Sequence, residues 1–426
     1  MTKKYISFTF ILLIALSLSA QNKDNKSQDG STFSIDMSLR PRAEYRNGYK
    51  TLRAKDDKAS AFINNRARVG FNFDNGFLSA RFAAQDVALW GEKKMTDGNG
   101  SKFTMNEAWA QITHDNMFVK VGRQGLMYDD GRLLSIADFN PTGKWHDVIK
   151  LGYENNNHIL HLIFAYNQSK QLTNSGTYYE PTGQPYQNMQ TMWYKFGKKR
   201  GPHASLMFIN LGFETGTKLK PEKSYMQTLG GNVGYKGNSW NMVGTAYYQM
   251  GRNNKREAIS GHYLALNGKY NLNQVALRGG IEIHSAQKEN SDKNTTIDLL
   301  YGGNHKFTGH MDYFSGGEPY GLFDKFVGAD WKPLDKLLFS ITYHHFSTMR
   351  KVELPDAGYS LSNEIDFSIT YPIRPYIKLE TGYSTMFGIK DALPFTLGLP
   401  LEKAKARQEW SFISLTVEPE LFRSKF

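Results

Sequence analysis

At 426 residues, with 52 Lys and Arg against 40 Asp and Glu, the chain carries a net charge of +12. It contains no Cys, which excludes a disulfide framework, a thiolate metal site and lipid attachment at a cleavage-site Cys. The basic charge is spread along the chain rather than gathered in one arm, which argues for a charged lining and against nucleic-acid binding.

The chain begins with Lys3 and Lys4, an apolar run from Ile6 to Leu18 and then Ser19-Ala20-Gln21. A basic start, a short apolar run and small residues at a cleavage site define a secretory signal peptide over residues 1–20. The run is too short to span a bilayer as a helix. Residues 21–32 are polar and read as a flexible segment, and one domain covers 33–426.

From residue 33 the pattern has a period of two. Phe33, Ile35, Met37, Leu39, Ala43 and Tyr45 alternate with Ser34, Asp36, Ser38, Arg40, Arg42 and Glu44. Thirteen such residues exceed a typical soluble strand. Pro41 is a blemish, because it removes a ladder donor. The next segments repeat the rule: 61–73 sets Arg66 and Arg68 against apolar neighbours, and 77–88 does so with Arg81. Further alternating segments lie at 104–114, 117–124, 146–154, 158–168, 190–198, 203–213, 225–236, 239–250, 260–271, 273–285, 320–332, 336–347, 360–371, 374–386 and 408–418. Tight turns such as Asp74-Asn75-Gly76 alternate with long polar loops at 91–102, 169–189, 214–224, 286–299, 348–358 and 387–407.

Such a chain is predicted to form an all-β fold, a transmembrane antiparallel up-and-down β-barrel of about 18 strands (16–20) in the outer membrane of a Gram-negative cell. The 24 Tyr and 27 Phe suit its interfacial girdles. The negative mean hydropathy is no objection, because lipid-facing and lumen-facing residues average out. A barrel of this size is wider than its own wall side chains can fill, and long loops folded inward would narrow it.

Alternation places Arg40, Arg42, Arg66, Arg68, Arg81, Arg278 and Lys378 on the lumen face, with Lys150 a further candidate. Asp36, Glu44, Glu107, Glu282, Glu364, Asp366 and Glu380 share that face. An Arg or Lys facing lipid at mid-bilayer costs about 2–4 kcal/mol, so keeping every one off the apolar face is informative. Either these charges line a path for a charged, hydrated solute, or they pair with one another and brace the wall.

The segment KVGRQGLMYDDGRLLSIADFNPTGKWHDVIKLGYE, 120–154, is dense in arginine and carboxylate between two strand-like runs. Its GRQGLMYDDGRLL and KWHDVIKLGYE, with LLYGGNHKFTGHMDYF at 299–314, resemble the alginate-export family of outer-membrane proteins. That resemblance implies a monomeric barrel with an electropositive conduit for a polyuronate. It carries constriction roles onto Arg123, Asp129, Asp130, Arg132 and Lys306, and it allows periplasmic export partners.

The function expected is therefore facilitated diffusion of an anionic polysaccharide or oligosaccharide through an Arg/Lys-lined lumen. The alternative is a general or small-solute nutrient porin, which could pass a small anionic solute. Outer-membrane lipid and lipopolysaccharide are the surrounding partners. His305-Lys306 and His310-x-Asp312 fit no tight metal-ligand set, and no cofactor is implied. Ser340 and His344 share a strand face, but no G-x-S-x-G elbow is present, so a barrel-embedded hydrolase is disfavoured and no catalytic residue is assigned.

Overall fold

The computed structural model describes residues 30–426 apart from 93–102, 172, 175, 177, 199, 356 and 400–404. The signal peptide and most of the 21–32 segment lie outside the described residues. The extended elements are β1 (Thr32–Asn47), β2 (Ser60–Asp74), β3 (Leu78–Leu89), β4 (Thr104–His114), β5 (Met117–Gln124), β6 (His146–Glu154), β7 (His158–Tyr166), β8 (Asn188–Gly197), β9 (Gly201–Glu214) and β10 (Lys223–Lys236). They continue with β11 (Trp240–Arg252), β12 (Ala258–Leu272), β13 (Val275–His284), β14 (Leu322–Leu334), β15 (Leu337–Ser347), β16 (Ser360–Arg374), β17 (Ile377–Phe387), β18 (Gln408–Val417) and β19 (Glu420–Lys425). One short helix, α1 (Ala392–Thr396), lies in the last long loop.

From β1 to β18 each strand pairs antiparallel with the next, and the ladder closes where β1 meets β18 and β19. These last two are consecutive pieces of one stave, so the barrel has eighteen staves. The break falls at Pro419, whose ring supplies no N–H, although its carbonyl still accepts from Met37 at 3.2 Å. Pro41 interrupts the β1–β18 ladder between Leu39 and Arg42, and the Ser414 hydroxyl donates to its carbonyl at 3.4 Å. Closure removes every sheet edge, which a wall in lipid requires.

Two- and three-residue turns, such as 75–77 and 115–116, occupy one end of the barrel with both chain ends. Long connections occupy the other. Two of the longest, 125–145 and 285–321, fold into the lumen.

The interior is partly packed. On the β7–β12 side, Ile163, Met189, Trp193, Met207, Ile209 and Tyr263 face inward and pack against Leu126, Leu133, Leu134, Ile297 and Leu299 of the two inward loops. Half of the barrel thus contains a dry core that holds the loops by apolar burial. Inward charges lie mainly on β1–β4 and β13–β17, with Lys120 and Lys150 on β5 and β6, and a second apolar cluster including Phe346, Met386 and Trp410 packs against Met311 and Phe314 on the β14–β18 side.

Candidate functional site

The two inward loops are zipped together. Leu134 and Tyr301 form a parallel bridge, Ser135 N–H donates to the Tyr301 carbonyl at 3.2 Å, and Tyr301 N–H donates to that of Leu133 at 3.0 Å. Arg132 lies beneath the zipper with its side chain 1% exposed, ion-paired with Glu282 of β13. Its guanidinium stacks on the Phe307 ring at 3.4 Å. Arg132 therefore braces the loops against the wall and is sealed from solutes. Burial lowers its pKa, but the carboxylate charges of Glu282 and Asp130 outweigh it and raise the pKa above the ordinary value. Asp129, held at φ 54°, accepts from the Trp193 indole at 3.1 Å and points into the packed side, where burial raises its pKa.

A second clamp fixes the tip of the 125–145 loop. Arg40 donates to the Asp138 carbonyl at 2.7 Å and that of Asn140 at 3.1 Å. Arg66 meets the Asp138 carboxylate at 2.6 Å, and Arg42 donates to the Phe139 carbonyl at 2.7 Å while covering its ring at 4.4 Å. Burial raises the Asp138 pKa, but the positive charges of Arg66, Arg40 and Arg68 outweigh it and hold the carboxyl below its ordinary value. Three of the sequence-predicted arginines thus pin the tip of an inward loop.

Facing this clamp is a cavity of about 680 Å³ between the loops and the β16–β18 wall. Lys50, Lys144 and Lys306 converge on it. Lys144 donates to the Gly302 carbonyl at 2.7 Å and Lys306 to the Asp130 carbonyl at 3.1 Å. Among the described residues neither ammonium has a carboxylate within ion-pair distance, whereas Lys50 lies 3.7 Å from Asp312. Burial and the nearby Lys50 charge lower the Lys144 pKa, with Asp298 only partly offsetting them. Arg68 lies beside Lys144 and donates to the Gln85 side-chain carbonyl at 2.8 and 3.2 Å. Phe139 and Phe412 supply apolar surface to the same cavity.

The other sequence-predicted residues are placed as follows. Arg81 pairs with Asp36 at 2.7 Å and Glu107 at 2.8 Å on the lumen face. Arg278 lies 3.4 Å from Asp330, and Lys378 lies 3.0 Å from Glu380. Lys150 faces inward opposite Lys120 across the β5–β6 ladder. Asp130 lines the same cavity as Lys144 and Lys306. Arg123 does not line the lumen. It shares its strand face with Val121 and Met117, both exposed outward, and pairs with Asp147 at 2.8 Å on the outer surface. Gly122-Arg123-Gln124 closes β5 and obeys its alternation, which turns Arg123 outward. Lys50, Lys120 and Lys144 were missed. Lys120 falls on the lumen face of 117–124 and was recoverable from parity, while Lys50 and Lys144 sit in loops that carry no period. Ser340 and His344 engage different carboxylates, Asp330 at 2.9 Å and Asp324 at 2.9 Å.

A sequence profile of Gram-negative porins matches residues 7–387. The chain belongs to that family. The porin lies in the outer membrane as a multi-pass β-barrel, and the resemblance to alginate-export proteins is thereby corrected. The 120–154 and 299–314 segments that carried the resemblance contribute the paired inward loops of this porin. No curated protein sequence matches it. Among solved structures the porin is similar to Acinetobacter baumannii OccAB1, at 11% identity and a TM-score of 0.62 over 94% of this chain and 100% of that one. It is similar to Pseudomonas aeruginosa OprD, at 11% identity and TM-score 0.60, covering 92% and 96%. A structure of Pseudomonas aeruginosa OpdK with vanillate matches at 10% identity and TM-score 0.59, covering 92% and 98%. At these identities the likeness concerns the fold alone.

Proposed function

We propose that this porin is a substrate-selective channel for small solutes bearing a carboxylate. The observation that carries the reading is the convergence of Lys144 and Lys306, free of ion-pairing carboxylates among the described residues, on one cavity beside a pinned loop. An ammonium that is hydrogen-bonded only to a backbone carbonyl keeps most of its charge available to an anion. The cavity volume matches a small-molecule site. Phe139 and Phe412 add apolar surface that favours an aromatic or aliphatic body behind the carboxylate. The OpdK structure with vanillate, itself an aromatic carboxylate, supports the same class. The small-solute alternative therefore replaces polysaccharide passage.

Reversal potentials in a KCl gradient across a planar bilayer test the proposal. The wild type is expected to prefer anions, and benzoate is expected to pass or block far more strongly than neutral benzyl alcohol. Lys144→Gln with Lys306→Gln is expected to lower the anion preference several-fold. Equal passage of benzoate and benzyl alcohol, or an unchanged preference in the double variant, would refute it.

A further inference from the structure

The lipid-facing wall across β11–β15 carries an open trough of about 580 Å³. Met242, Leu266, Ile281, Val327 and Tyr343 line it with outward-facing apolar surface. Its floor is made by Gly268 and Gly279, which face each other in the β12–β13 ladder. Glycine inside a strand weakens it and often marks a place where another molecule comes close. Nothing in the wall requires Gly268. A Cβ there would meet no atom nearer than the Gly279 carbonyl oxygen at 3.9 Å.

At one end of the trough stand Lys325 and His345, direct partners in the β14–β15 ladder and both facing outward. Lys325 covers the Phe323 ring at 4.7 Å and has no carboxylate partner among the described residues. His345 hydrogen-bonds Asn363 at 2.9 Å, and the same amide oxygen accepts from Tyr343 at 2.7 Å. Lys325 stands nine residues above Leu334, at the short-turn end of β14. At a rise of about 3.4 Å per residue and a tilt of about 40°, that is roughly 23 Å, the outer margin of a hydrocarbon band about 25 Å tall. The trough descends from there toward the membrane centre. An unpaired cation at headgroup height above an apolar slot matches a phosphate joined to an acyl chain.

We infer that this trough is a binding site for a phosphorylated, acylated glycolipid of the outer leaflet, of the lipid A type, with its phosphate on Lys325 and His345 and one acyl chain over Gly268 and Gly279. The site lies on the outside of the wall, remote from the solute path, and does not depend on the proposed transport selectivity.

Native mass spectrometry of the full mature barrel in detergent, titrated with bisphosphorylated lipid A, tests the inference. The dephosphorylated lipid and phosphatidylglycerol serve as comparators. The wild type is expected to retain lipid A, and Lys325→Gln and Gly268→Leu are each expected to weaken retention by about tenfold. Lys325→Arg is expected to keep it. A heat-modifiable gel shift verifies that each variant is folded, and the comparison of lipids on the wild type is independent of any variant. Retention unchanged in folded Lys325→Gln and Gly268→Leu would overturn the site. So would equal wild-type retention of dephosphorylated lipid or of phosphatidylglycerol.

Discussion

The pinned tip of the 125–145 loop gives the sharpest test, through Asp138→Asn. Asp138 joins Arg66 at 2.6 Å and Arg40 at 3.2 Å, and its own side chain is 50% exposed against 2% for that of Arg66. A hydrogen bond to a charged group contributes about 1.5–3 kcal/mol, and an exposed ion pair under about 1 kcal/mol. With one partner buried and the other half in water, the loss is roughly 2 kcal/mol, or about thirtyfold in the balance between docked and undocked tip. The backbone contacts from Arg40, Arg42 and Gln85 remain, so the loop stays mostly in place. The expected outcome is more frequent open-channel flicker at pH 7 rather than a wide pore. The pH response follows from the same residue. Its carboxyl is held below the ordinary 3.8 when docked, so the clamp is at full strength above that value and weakens as pH falls through the lower docked value. Single-channel recordings should show wild-type flicker rising toward that of the Asn variant only as the pH is taken below the ordinary carboxylate range, with the variant losing most of this response. Identical noise in the two proteins at pH 7, or wild-type loosening already complete near neutrality, would refute the clamp.

Two further substitutions test the placement of charges. Glu282→Gln leaves buried Arg132 with Asp130, at 3.4 Å, as its remaining ion-pair partner, so the loss should stay below the about 3–5 kcal/mol of a pair broken outright; the barrel should unfold at a lower temperature on unboiled gels, and an unchanged transition would contradict the brace. Arg123→Gln should leave ion selectivity unaltered, since the side chain lies on the outer face with Asp147; a shifted reversal potential would place it in the lumen instead.

Alternation alone determined the fold. A wall in lipid must satisfy its backbone in a closed ladder and turn apolar side chains outward, so Arg40, Arg66, Arg81 and Glu282 are assigned to the interior by parity, without reference to any contact. Parity also held the information for Arg123 and Lys120, which a motif-led reading passed over. The packed half of the barrel left a fainter trace: segments such as 158–168 and 203–213 are apolar on both faces, the mark of strands buried against something inside. Which arginines pin a loop, and which lysines stay clear of carboxylates among the described residues, follows only from the tertiary structure. Asp138 meets Arg66 across 72 positions, and Lys144 meets Gly302 across 158. A period of two records which side of the wall a residue faces. It cannot record which loop, arriving from elsewhere in the chain, neutralises that residue once the barrel has closed.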